Sequence, residues 1–179
     1  CMASQNFYKG YPYTLLVVAD GHGSKKYRQS EVGAHIADQA VHKVSMDFIH
    51  NLVDLKEQNP EIWQREAVNY YKNRFGKAVI QHFRKEVQDH ASQKDSVKEV
   101  DGQPLVDNLN IQSSIDRYGT TVTMALFFND FMFIGGVGDS AIYLVEEKDS
   151  LLNVNEKIID ENPDPSGILT NSLINPNAQ

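Results

Sequence analysis

Asp20-Gly21-His22-Gly23 is the group of residues in this sequence whose types and spacing could do chemistry. A carboxylate and a main-chain carbonyl presented together on a tight turn are hard oxygen donors, suited to Mg²⁺ or Mn²⁺. The two glycines allow the backbone to bend sharply and to approach a ligand closely. Something must hold that turn in place, and the run Leu15 to Ala19 just before it is apolar and rich in Val and Leu. Such a run suits a strand buried on both faces, with Asp20 and His22 at its C-terminal edge. The same four residues also fit a plain strand end followed by an Asp-Gly turn, and taken alone they leave both readings open.

Composition narrows the field. A length of 179 residues implies one domain with room for a sizeable core. The apolar fraction of 41% and charged fraction of 23% are those of an ordinary globular protein. A net charge of −7 argues against nucleic acid or an anionic membrane as partner, because phosphates reward Lys and Arg. No apolar run approaches the roughly 20 residues of a membrane-spanning helix, and no signal-peptide pattern opens the chain. The lone cysteine, Cys1, has no partner for an internal disulfide, which suits a reducing, cytoplasmic setting. Cys1 precedes Met2, so the sequence reads as a piece of something longer.

The elements around the turn follow from periodicity. Residues 1 to 12 show none, and Lys9-Gly10-Tyr11-Pro12 reads as a turn. A helix is expected from Ser30, as N-cap, with Glu31 at the positive end of its dipole. Val32, Ile36, Ala40, Val44, Phe48, Leu52 and Leu55 form its apolar stripe. His35, Asp38 and His42 lie on another face; a metal site there is weighed against a solvated face, which the neighbouring Lys43 and Asp47 favour. A second helix is expected from Asn59-Pro60-Glu61 to about Asp89, weakened at Gly76, with Trp63, Tyr70 and Tyr71 packing into the core.

Periodicity fails over residues 90–114, which read as an insertion or mobile loop holding a small hairpin around Asp101-Gly102. From Tyr118 the pattern turns to β, with strands at Val122 to Phe128, Phe131 to Val137 and Ala141 to Val145. The Asn129-Asp130 link implies a hairpin, and the three strands are expected to form an antiparallel meander. Glu146 to Asp149 reads as a turn, and the chain beyond Lys157 as turn-rich. Gly135, Gly136 and Gly138 mark a close approach, and Asp139 is a second carboxylate at a strand end.

Three signals thus run in order: the apolar strand with DGHG, then GTTV at Gly119 to Val122, then GDSAIYLV from Gly138. Together they resemble the metal-dependent serine/threonine protein phosphatases of the 2C type, over about Leu15 to Leu173. The likeness is greatest to bacterial members, in which a basic, serine-containing segment leads into the first long helix. The resemblance implies an α+β fold of two stacked antiparallel β-sheets flanked by pairs of α-helices. Residues 1–179 would then be a single, partial domain.

The resemblance also implies a mechanism, in which two Mn²⁺ or Mg²⁺ ions activate a shared water that attacks the phosphorus of a phosphoprotein substrate. Asp20 would bridge the ions and the Gly21 carbonyl would bind one of them. His22 would protonate the leaving seryl or threonyl oxygen. Asp139 would help hold a third, weaker ion, although a turn aspartate bonded to backbone amides is an equal reading of it. The Arg, Asn and acidic residue that family members carry on the preceding strand have no counterpart in Cys1–Pro12, and neither Arg117 nor Lys25 is placed by the sequence as a substitute. The later Asp-Gly strand end and final Asp of the family have no counterpart either. The leading expectation is therefore a phosphatase with about half a metal site in this stretch. The alternative is a non-catalytic, phosphatase-like module that binds or regulates a partner.

Overall fold

A computed structural model describes residues 1–23, 25, 27–95, 99–100, 103–104, 116–138, 141–148 and 151–160. Two strands come first, β1 (Met2–Tyr8) and β2 (Tyr11–Gly21), then a long helix α1 (Ser30–Gln58). A second helical stretch follows as α2 (Trp63–Tyr70), a π-helical turn (Tyr71–Phe75) and α3 (Gly76–Asp95). The short strands β3 (Glu99–Val100) and β4 (Gln103–Pro104) precede a 3-10 turn at Asp116–Tyr118. The chain then runs through β5 (Thr120–Phe128), β6 (Phe131–Val137), β7 (Ala141–Lys148) and β8 (Leu151–Asp160).

The main sheet has four antiparallel strands in the order β1-β2-β5-β6. Its helices lie on one face, where α1 packs on β2 and β5. Leu15 and Val17 are sealed beneath α1, whereas Leu16 and Val18 are 42% and 53% exposed. The expectation of a strand buried on both faces is therefore corrected. In an antiparallel sheet with helices on one side, side chains alternate between core and outside, even when every residue is apolar.

The strand β1 was not legible as a periodic segment. Its centre, Ser4-Gln5-Asn6, is polar, none of its residues is fully buried, and its order comes from pairing with β2, Met2 opposite Val17 through Tyr8 opposite Tyr11. The turn between them is Lys9-Gly10, both at positive φ (48° and 83°), the two-residue geometry that matches strand twist. The Lys9 ammonium donates to Asp54 at 2.7 Å and Glu57 at 3.1 Å, which fastens this turn to the last turns of α1. Those two carboxylates hold the Lys9 ammonium above its ordinary pKa.

Both expected helix caps shift. Gln29, not Ser30, is the N-cap of α1, and Ser30 is its first helical residue, with Glu31 in the first turn as expected. Asn59 closes α1 by donating its N–H to the Leu55 carbonyl at 2.7 Å, and the next helix starts at Trp63 after a turn. The apolar stripe of α1 holds: Ile36, Ala40, Val44, Phe48 and Leu52 are buried. Phe48 is its centre, with the rings of Tyr70, Phe75 and Phe133 at 5.2, 5.6 and 5.1 Å. Trp63, Tyr70 and Tyr71 thus serve the core, as expected. On the other face Lys43 pairs with Asp47 in solvent, but Asp38 is buried, 3.5 Å from the Cys1 amino group. His35, Asp38 and His42 form no metal-holding group.

α3 continues to Asp95, past the expected end, so residues 90–95 are helical and not loop. His90 explains part of this: its Nδ1 lies 2.7 Å from the Tyr118 hydroxyl, which ties the helix to the turn before β5. The small hairpin is present as β3 and β4, with Val100 opposite Gln103. Most of the remaining segment expected as an insertion, and the tail from Glu161, lie outside the described residues.

Two stacked sheets are not seen. The described residues form one four-stranded sheet with its helices, and two separate two-stranded ladders, β3-β4 and β7-β8. The expected meander stops at β6, because β7 pairs with β8 and runs on to Lys148 instead of turning at Glu146. Gly138, at φ +132°, takes the backbone out of strand geometry directly after Val137, which ends the β6 ladder. Among the described residues no helix is long and apolar enough to cross a membrane.

Candidate active site

β2 and β5 place the turn. Their ladder runs from Tyr13 opposite Phe128 to Gly21 opposite Thr120, so DGHG emerges where GTTV begins. Asp20 is exposed at this strand end, while Thr120 and Thr121 across from it are buried. The Thr120 hydroxyl donates to the Asp20 main-chain carbonyl at 2.8 Å, with the Thr121 carbonyl at 3.0 Å as its other acceptor. The Thr121 hydroxyl reaches the same Asp20 carbonyl at 3.4 Å. The backbone under the Asp20 carboxylate is thereby fixed from the neighbouring strand.

The next residue is held as firmly. The His22 N–H donates to the Gly119 carbonyl at 3.0 Å. Antiparallel ladders alternate bonded and non-bonded pairs, so the Gly21 N–H and C=O turn away from β5. A Cβ on Gly21 would lie 2.7 Å from the Ser30 carbonyl carbon and oxygen, so the start of α1 closes over the turn.

The half-buried His22 ring meets Tyr27 edge-on, with centroids 4.6 Å apart and planes at 61°. Gly119 makes room for both, since a Cβ there would stand 2.5 Å from His22 Cδ2 and from Tyr27 Cδ1. The loop is further tied down where the Gln29 N–H donates to the Arg117 carbonyl at 3.0 Å. Arg117 is therefore adjacent to the loop through its main chain, and Lys25 is exposed on it. Thr120, Gly119 and Tyr27 are the residues that sequence reasoning did not assign a part here. The GTTV motif was the signal for the first two.

The structure brings Asp20, Gly21 and His22 to one strand end; Asp139 lies outside the described residues. One carboxylate and one carbonyl, both hard oxygens on a braced backbone, fit one edge of a hydrated Mn²⁺ or Mg²⁺, which keeps several waters in its shell. They do not make a complete site for two ions, and among the described residues no three His, Cys, Asp or Glu side chains converge.

No curated protein and no solved structure matches the chain. The family model of protein phosphatase 2C matches residues 7–161, a span that contains β2 with its DGHG turn, the helical layer and the strands from β2 through β8. The chain belongs to the protein phosphatase 2C family.

Proposed function

We propose that this chain carries one side of the active site of a metal-dependent phosphatase acting on phosphoserine and phosphothreonine in proteins. The observation that supports this best is the braced strand end: an exposed Asp20 carboxylate beside a Gly21 carbonyl turned away from the ladder. A divalent ion bound there would supply an acidified water and positive charge beside the phosphoryl oxygens. Asp20 compensates part of that charge, and its fixed main chain keeps the carboxylate from reorganising. His22, anchored by its own N–H and by Tyr27, can donate a ring proton to the leaving seryl or threonyl oxygen. Asp139 is assigned to a further, weaker ion.

The test is titration of Mn²⁺ by calorimetry into the 179-residue chain and its Asp20→Asn variant. Asparagine keeps the size and turn tolerance of aspartate, so the fold should persist by circular dichroism while affinity collapses. A folded variant that binds Mn²⁺ as tightly as the wild type would overturn the assignment of Asp20.

A second reading, a non-catalytic phosphatase-like module, is favoured by the lack of three converging ligand side chains among the described residues. Hydrolysis of an aryl phosphate separates the two. Turnover that requires millimolar Mn²⁺ and vanishes with chelator supports the enzyme and overturns the module.

A further inference from the structure

A cavity of about 420 Å³ lies between the helical layer and the β5-β6 side of the sheet, and none of Asp20, Gly21 or His22 lines it. The volume falls within the range of small-molecule sites, about 300–1,000 Å³. Its inner surface is apolar, with Val41, Val79, Ile80, Val122 and Met124. Polar groups are few and placed together: Lys72, Asn73 and Lys77 are exposed along one wall.

That wall is the π-helical turn, Tyr71–Phe75, and the first residues of α3. Such turns are rare interruptions of a helix and concentrate where a helix serves a ligand. Here the turn sends Tyr71 and Phe75 inward, with rings 4.8 Å apart, while leaving Lys72 and Asn73 outside. The Tyr71 hydroxyl donates to the Met124 sulfur at 3.4 Å, a weak acceptor that a ligand oxygen can replace. It reaches that position because residue 135 is glycine, where a Cβ would lie 2.9 Å from the hydroxyl oxygen. Gly135 and Gly136 also line the cavity, and β6 has a ladder partner only on its β5 side among the described residues.

Charge decides the ligand's head group. The chain carries a net charge of −7, yet neither Lys72 nor Lys77 makes an ion pair among the described residues. Two ammonium groups beside an aliphatic cavity complement an anion attached to an apolar body. We propose that this cavity binds a small amphipathic carboxylate, an acyl or aryl acid whose apolar part fills the interior and whose carboxylate meets Lys72 and Lys77. The proposal is independent of phosphatase activity.

Calorimetric titration of the full chain with decanoate, below its micelle concentration and with decanol as the neutral control, tests this. Decanoate should bind saturably, one molecule per chain, and more tightly than decanol. The Lys72→Glu/Lys77→Glu variant changes only exposed side chains, so it should fold and lose affinity by about tenfold or more. Val79→Trp should abolish binding by filling the cavity; should it fail to fold, the lysine variant alone decides. Absence of saturable binding, or equal affinity in the lysine variant, would overturn the proposal.

Discussion

The Thr120 hydroxyl lies 2.8 Å from the main-chain carbonyl of Asp20, a buried threonine bracing the backbone beneath an exposed carboxylate a hundred residues away in sequence. The bond joins the two motifs, DGHG and GTTV, into one structural unit. It also gives a physical reason for a threonine at the start of β5 that strand propensity alone would not require.

Replacing Thr120 with valine keeps the shape and removes the donor. The Asp20 carbonyl keeps its ladder partner and the weaker Thr121 hydroxyl. Denaturant unfolding should therefore show a loss of about 0.5–1.5 kcal/mol, the range for one intramolecular hydrogen bond whose acceptor keeps other partners. Mn²⁺ affinity should fall as well, since the carboxylate then rides on a looser backbone. Unchanged affinity at reduced stability would confine Thr120 to a purely structural part.

His22→Ala bears on proton donation. An alkyl phosphate leaves as a strongly basic alkoxide and needs a proton; an activated aryl phosphate does not. Under Mn²⁺-dependent turnover, the variant should lose about 10²–10⁴-fold on the alkyl ester and much less on the aryl ester. Equal losses on both would mean that His22 only supports the turn.

How much of this was readable beforehand differs by element. The α1 stripe was legible because five of its apolar positions face one surface and recur at helical spacing. The β5-β6 hairpin was legible because Asn129, at φ 50°, is a residue type that tolerates that conformation. β1 was not, because an edge strand without a buried face takes its order from its partner and leaves no pattern of its own. Asp20 and His22 could be placed at a strand end from the apolar run before them. Their bracing by Thr120 and Gly119 is a tertiary relation, invisible in local spacing. The second sheet was expected through resemblance alone; nothing in the residues themselves had required it.

Tyr71 predicts an alkaline effect. Burial raises its phenol pKa above the ordinary 10.0. The folded state therefore keeps the proton that the unfolded state releases. The stabilisation is fully present below pH 10 and is lost as pH rises above it, through the raised folded value. Lys9, whose ammonium is also held above its ordinary range, slopes the same way but is screened by solvent, so the fall in wild-type stability at high pH comes mainly from Tyr71. Tyr71→Phe removes one of the two contributions and should flatten that fall relative to wild type, measured by urea unfolding between pH 8 and pH 11.

Gly119→Ala tests whether the His22 side chain is positioned by space as well as by its backbone bond. The added methyl would stand 2.5 Å from both the His22 and Tyr27 rings, closer than carbon atoms can approach. Gly119 is not at positive φ, so the substitution carries no backbone strain and even lowers unfolded-chain entropy. The rings must yield instead, and the expected cost is about 1–3 kcal/mol for an overpacked contact. Whichever ring moves, the edge-on contact at 4.6 Å is lost. The His22 imidazole proton shifts, followed by NMR, should therefore change while those of His50 and His82, further along α1 and α3, stay fixed. Truncating the neighbour, as Gly119→Ala/Tyr27→Ala, opens room on one side. The double variant should be less destabilised than the sum of the single changes, because both act on one contact. Strict additivity, or an unmoved His22 spectrum in Gly119→Ala, would show that the Gly119 contact does not set the ring's position.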